Sequence, residues 1–246
     1  VFFRHALTPV YTVFNFLLNV YKVKKIIGLT GTYCTGKNHV AALLENRGLE
    51  TLDLDILGHE ALEREKTAVC ARFGEDIINS KGMIDRRLLG EKVFGDPEKL
   101  AALEAIVHPV VNQMTEQWIS EQKTSCVIHA ALIHKSSVFK RLDFIIMVNA
   151  PFVTRLRRAH VRDGLSYPVL LGRFARQKGF YPQYLSGKAD IYRVENPGFP
   201  HHDEQTVPGV SSAAVQHANE KLEHRIDEIL ANEGILESWK RKNYCS

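Results

Sequence analysis

The chain has 246 residues, enough for one substantial core with a smaller lobe beside it. A content of 45% hydrophobic and 24% charged residues excludes a collagen-like or disordered chain. The net charge of +4 suits an anionic small ligand, but no clustered basic face accompanies it, so nucleic acid is not expected as a partner. Cys34, Cys70, Cys126 and Cys245 lie scattered, with no CxxC pair and no histidine at zinc spacing. That pattern predicts reduced thiols and a cytoplasmic protein.

Residues 1–24 read as an N-terminal extension. Arg4 and His5 precede the apolar run Val10–Val20, but Asn15 and Asn19 interrupt it and no small-residue cleavage site precedes Lys22. The run is shorter than the about 20 apolar residues of a membrane span, so no membrane is expected. The segment is expected to be a short helix or to lie upstream of the true start.

From Lys25 to Thr30 a short apolar run ends at Gly31, which predicts a buried strand. Helical pattern resumes at Lys37 and stops at Gly48, and Thr51–Leu54 reads as a second strand. A mainly helical stretch follows from Asp55 to Lys123. Within it Asp85 precedes one helix, and Asp96-Pro97 supplies an N-cap and a first-turn proline for another. Ser125–His129 and Phe144–Asn149 are further apolar runs, and Ile191–Val194 a possible fifth. Pro197–Pro208 reads as a surface loop. The final helix carries Val215, Ala218, Leu222, Ile226 and Ile229 on one face. Strands alternating with helices predict an α/β fold, a doubly wound parallel sheet of about five strands. The helical stretch is too long for one crossover and reads as an inserted lobe, roughly residues 56–124.

The segment Gly31-Thr32-Tyr33-Cys34-Thr35-Gly36-Lys37-Asn38 matches the phosphate-cradle pattern GxxxxGK, placed between a strand and a helix. Glycines let the backbone turn its N–H groups inward around phosphate oxygens, and the helix adds its positive end. All eight residues are therefore candidates for nucleotide binding, with Lys37 reaching the β- and γ-phosphates. The eighth position usually offers a Ser or Thr hydroxyl to magnesium, a cation that prefers oxygen. Here it is Asn38, a weak candidate ligand through its amide oxygen. Cys34 reads as a small tolerated residue.

Asp53 and Asp55 sit two apart at the end of the second predicted strand, so both side chains are expected to leave one face. In a P-loop kinase a carboxylate there orients the acceptor hydroxyl or takes its proton. The alternative is that Asp55 caps the next helix.

With these residues the chain resembles the dephospho-coenzyme A kinase family from Lys25 to Asn196. The resemblance lies in Ile27–Gly31 with its loop, Leu52-Asp-Leu-Asp55, Arg72-Phe-Gly74, Asp85-Arg86 and Leu103–Pro109. It continues through Arg158, Arg162–Ser166, Arg173–Gln177, Ala189-Asp190 and Asn196. The resemblance implies ATP-dependent phosphorylation of the 3′-hydroxyl of dephospho-CoA, with ATP, dephospho-CoA and Mg²⁺ as partners. It implies Asp55 at the acceptor hydroxyl, with Lys37 and Arg162 as its catalytic companions. Arg158 and Arg173 join the nucleotide group, while Asp53, Arg86 and His108 fall on the acceptor side. Arg162-Asp163-Gly164 and the helix after Ser166 read as a lid, roughly residues 162–187. The expected assembly is a monomer or weak oligomer.

Two departures stand out. The family usually shows an acidic residue at the end of the third strand and a glutamate soon after. Here His129 and Lys135 occupy those places. Either nucleotide phosphates, water and Asp53 or Asp55 hold the metal, or turnover is impaired, or charge at Lys135 or His129 partly replaces the metal. A second alternative is a weakened nucleotide- or CoA-binding homologue, and a third is another small-metabolite kinase.

Overall fold

A computed structural model describes residues 23–175, Tyr184, residues 188–197 and residues 212–236. The N-terminal run, most of the expected lid beyond residue 175, the body of the Pro197–Pro208 loop and the Val215 side chain lie outside the described residues.

Five strands form one parallel sheet: β1 (Ile26–Gly31), β2 (Glu50–Asp53), β3 (Cys126–His129), β4 (Phe144–Asn149) and β5 (Asp190–Glu195). Their order is β2-β3-β1-β4-β5. β1 is fully buried at the centre, as its unbroken apolar run requires in a sheet covered on both faces. Alternation along the strands then sorts the core. Ile27, Leu29, Ile146 and Val148 face one way, against Val40 and Leu44 of α1 (Lys37–Glu45) and Leu222, Ile226 and Ile229 of the final helix. Ile128, Ile145 and Met147 face the other way, against Leu54 and Leu57 of α2 (Leu54–Arg64).

The helical stretch between β2 and β3 continues with α3 (Lys66–Phe73), α4 (Arg86–Val93) and α5 (Pro97–Glu121). It has an apolar cluster of its own, built from Leu62, Val69, Phe73, Ile77, Leu89 and Val93 with Ile106 and Val107 beside them. Asp85 caps α4 through Arg87 N and Leu88 N, and Asp96 caps α5 through Glu98 N and Lys99 N, as the sequence predicts. Pro109 sits inside α5 rather than at a junction. Its ring removes one N–H bond, and the 25-residue helix continues past it.

After β4 come α6 (Phe152–Asp163), ended by Gly164 in the left-handed region, and α7 (Tyr167–Ala175). The final helix, α8, spans Ser212–Asn232. Several predicted boundaries shift by one to three residues, two of them next to the phosphate loop and the acidic pair. α1 stops at Glu45, three residues before Gly48, and β2 ends at Asp53 because Leu54 already starts α2. Among the described residues no helix is long and apolar enough to cross a membrane.

Candidate active site

The loop between β1 and α1 owes its shape to close backbone approach. A side chain at Gly31 would run into Val148 O, 2.7 Å from where its Cβ would stand, so only glycine fits against β4. Gly36 has φ +87°, and a Cβ there would collide with the Asn196 side chain. Between them Thr35 N and Oγ1 both donate to Thr32 O, at 3.2 and 3.0 Å. Cys34 adopts φ +60°, the one non-glycine residue with positive φ among those described. Burial pushes its thiol pKa up, which leaves it a neutral filler rather than a nucleophile.

Two side chains from distant elements clamp this loop. Asn196, just past β5 and 2% exposed, donates from Nδ2 to Thr35 O at 2.9 Å. Arg158 of α6 donates to Thr35 O at 3.1 Å and to Asn196 O at 3.2 Å. With Thr35 O held by these two donors and Thr35 N by Thr32 O, the other N–H groups of the loop are left for an anion. The loop encloses a cavity of about 560 Å³, lined also by Asp53, Asp55, Ala131, Arg158 and Arg162.

The paired carboxylates do not leave one strand face. Asp53 ends β2 and is itself the helix cap, accepting from Asp55 N at 2.8 Å and Ile56 N at 3.4 Å. Asp55 lies in the first turn of α2, its side chain 55% exposed and its Oδ2 3.1 Å from Lys37 Nζ. The expectation is corrected on both counts: the cap is Asp53, and the Asp55 carboxylate, on the helix rather than the strand, is the more exposed of the two, 55% against 13%. The physical reason is that the helix begins one residue earlier than the strand pattern suggests.

His129 pairs with Asp53 across β3 and β2, placing Nδ1 3.4 Å from Asp53 Oδ2 without hydrogen-bond geometry. The ring is 5% exposed, and burial lowers its pKa more than the Asp53 charge raises it. It is therefore neutral at pH 7 and supplies no positive charge in place of a metal. The unfolded chain takes up this proton first as pH falls, so the stability gained by burying a neutral ring is intact above about pH 6.5. It is lost as pH falls from there toward the lower folded value. We expect the thermal midpoint to drop between about pH 7 and pH 5.5, and to drop less in His129→Asn, as measured by calorimetry at several pH values.

A second cavity of about 360 Å³ opens on the other side of Asp55. Its walls include His59, Glu104, His108, Asn112 and Lys135. Lys135 pairs with Glu104 at 3.4 Å, so its charge is already engaged at this cavity and is remote from the cradle lining. Arg86 does not line the cavity; its Nη1 lies 2.7 Å from His59 Nε2 and 2.9 Å from Nδ1, which braces that ring. Burial, then the Arg86 charge, lowers the His59 pKa, consistent with a neutral ring accepting that bond. Arg173 likewise does not line the cradle cavity; it is bound to Asp163 and Tyr33.

The family model described as CoaE, dephospho-CoA kinase, matches residues 25–179. The chain belongs to the dephospho-CoA kinase family. Among curated relatives, dephospho-CoA kinase of Thermus thermophilus is 37% identical over 174 residues, covering 70% of this chain and 83% of that protein. The Geobacter sulfurreducens dephospho-CoA kinase is 33% identical over 213 residues, covering 84% and 97%. A crystal structure from Thermus thermophilus superposes with TM-score 0.66 at 32% identity, covering 86% of this chain and 98% of that one. Dephospho-CoA kinase from Campylobacter jejuni, at 19% identity and TM-score 0.52, shares the fold.

As a member of the dephospho-CoA kinase family the chain is a kinase, a transferase that uses ATP. Magnesium normally accompanies such a nucleotide, and the donor set bears on how it is held. Among the described residues no three His, Cys, Asp or Glu side chains cluster for a metal. The cradle offers Asn38, exposed on the cavity wall, and the Asp53 and Asp55 carboxylates. So few oxygens fit a magnesium ion that arrives with nucleotide phosphates and keeps several waters, rather than a site built by protein alone.

His59, Glu104 and Asn112 were missed by motif reading, yet a signal was present. His59 lies four residues after Asp55 on α2, and Glu104, His108 and Asn112 recur every four residues along α5. Each set falls on one helix face.

Proposed function

We propose that this chain phosphorylates the 3′-hydroxyl of dephospho-CoA with ATP. The observation that carries the reading is that the phosphate cradle and the second cavity share one lining residue with a free acid function, Asp55. A nucleotide in the first and an acceptor in the second bring a hydroxyl and a γ-phosphate together beside that carboxylate. The inserted lobe, roughly residues 56–124, forms the acceptor wall with His108, and with Arg86 bracing His59. The lid, roughly residues 162–187, carries Arg162. The enzyme acts in the cytoplasm as a monomer or weak oligomer.

The loop N–H groups and Lys37 bind the β- and γ-phosphates. As the nucleotide enters, Lys37 Nζ exchanges Asp55 for phosphate oxygen, which frees the carboxylate to face the acceptor. Asp55 accepts the 3′-hydroxyl proton while that oxygen attacks the γ-phosphorus and the bond to the β–γ bridging oxygen breaks, giving CoA and ADP. Arg162 and Arg158 line the same cavity and offset the developing negative charge. Magnesium, when bound with the nucleotide, shares that charge on the phosphate oxygens.

The test is CoA formation by the purified chain from ATP, Mg²⁺ and dephospho-CoA, with adenosine and shikimate as control acceptors. Saturable CoA formation is expected. Saturable turnover of shikimate, or ATP binding with no product on any acceptor, would overturn the reading. The second outcome would support a weakened binding homologue, which the sparse metal donors at Asn38 and His129 favour. Asn38→Ser supplies the missing hydroxyl. It is expected to lower the Mg²⁺ concentration for half-maximal rate by about threefold to tenfold, read by titrating Mg²⁺ at saturating ATP.

A further inference from the structure

One side chain of the phosphate cradle is built into the lid. Tyr33 lines the cradle cavity and packs edge-on against Phe174 of α7, with ring centroids 5.2 Å apart. Its hydroxyl donates to Asp163, the last residue of α6. Asp163 also receives Arg162 Nε at 2.8 Å and Arg173 Nη1 at 3.1 Å, and Arg173 Nη1 lies 3.3 Å from the Tyr33 hydroxyl. The Arg162 guanidinium lies over the Tyr33 ring, 5.0 Å from its centroid. From the other side Arg155 Nε donates to Tyr33 O at 3.0 Å. The Arg162 bond, ahead of the opposing effect of burial, holds the Asp163 carboxyl below the usual range, so it is charged at neutral pH.

We propose that Tyr33 and Asp163 are positioning residues that act through Arg162, the ring as platform and the carboxylate as anchor, to aim its guanidinium across the cradle mouth. The inference rests on the reading of the cradle as the ATP site. A long arginine side chain loses rotamer freedom when it is fixed on a phosphate, and a platform that already fixes it lowers that cost. The two supports differ in what they do when the triphosphate arrives. Asp163 competes with phosphate for the guanidinium N–H groups, whereas the ring binds the flat face and leaves those N–H groups available. Arg162 is thus able to trade Asp163 for a phosphate without leaving Tyr33. Asp163 keeps Arg173 and the Tyr33 hydroxyl as partners, so it is not stranded.

A four-protein cycle of the unmodified chain, Tyr33→Leu, Arg162→Ala and the double variant tests this. With Arg162 present, Tyr33→Leu is expected to lower kcat by about fivefold; without Arg162 it should lower kcat by less than about 1.5-fold. An equal loss in both backgrounds, or no loss in either, would overturn the proposal, since a tyrosine that merely supports the fold acts regardless of Arg162. Should Tyr33→Leu lack a cooperative melting transition, Tyr33→Met, which also removes the ring, replaces it with the same expected pattern. The same non-additivity, about threefold, is expected in the ATP dissociation constant measured by titration calorimetry, which requires no acceptor. Absence of CoA formation by the unmodified protein therefore overturns the acceptor reading, while additive ATP affinities overturn this one.

Discussion

Asp55→Asn is expected to cut CoA formation by about 10²- to 10⁴-fold while ATP binding stays within about threefold. Asparagine has the shape of aspartate, and the native side chain is 55% exposed with no part in the core, so folding should be unaffected. What disappears is the ability to take up the acceptor proton. Before nucleotide binds, Asp55 holds Lys37 at 3.1 Å, and its loss releases that ammonium toward phosphate. ATP affinity consequently has no reason to fall. The comparison is a steady-state rate of CoA formation beside an ATP titration of the same preparation. Turnover within about tenfold of the unmodified protein would remove Asp55 from proton transfer.

Lys37→Met is expected to lower kcat by about 10²- to 10³-fold with little change in stability. Methionine keeps the apolar stem and deletes the charge. The lysine side chain is 12% exposed, but its ion partner Asp55 is open to solvent, and such a pair contributes little to folding. A thermal midpoint within about 2 °C of the unmodified protein, together with the lost rate, would separate chemistry from fold. A collapse of the midpoint would instead make Lys37 a structural residue.

These two residues also show how much of the site was legible in the sequence. Lys37 is part of a contiguous pattern whose flanking strand and helix are equally local, so reading it required no tertiary information. Asp55 was found by position, but its surroundings were misjudged because the strand-to-helix change falls between Asp53 and Leu54. A one-residue change of element converts a shared face into a cap and a free carboxylate. The parallel sheet was legible for the same local reason in its three inner strands, β1, β3 and β4, which are buried apolar runs, and less so in the edge strands β2 and β5, which are polar and partly exposed. Arg86 and Arg173 are read from the sequence as functional charges, yet both are exposed side chains that bond a lining residue, His59 and Tyr33 respectively, without lining a cavity themselves. Sequence spacing does not separate a guanidinium on a cavity wall from one beside it. Whether His129 carries a charge was equally closed to sequence reading, because it depends on how completely neighbouring strands cover the ring.

Asn196 reaches back across 161 residues to hold Thr35 O, from a segment beyond the part of the chain that the family model matches. This has a consequence for the order in which the protein is made. Synthesis runs at ~5–20 residues per second, so the loop emerges on the order of ten to thirty seconds before the residue that locks it. During that interval Arg158, which is made earlier, is the one of the two donors able to reach that carbonyl. A prematurely terminated chain lacking the last strand therefore keeps only half of the clamp on its cradle.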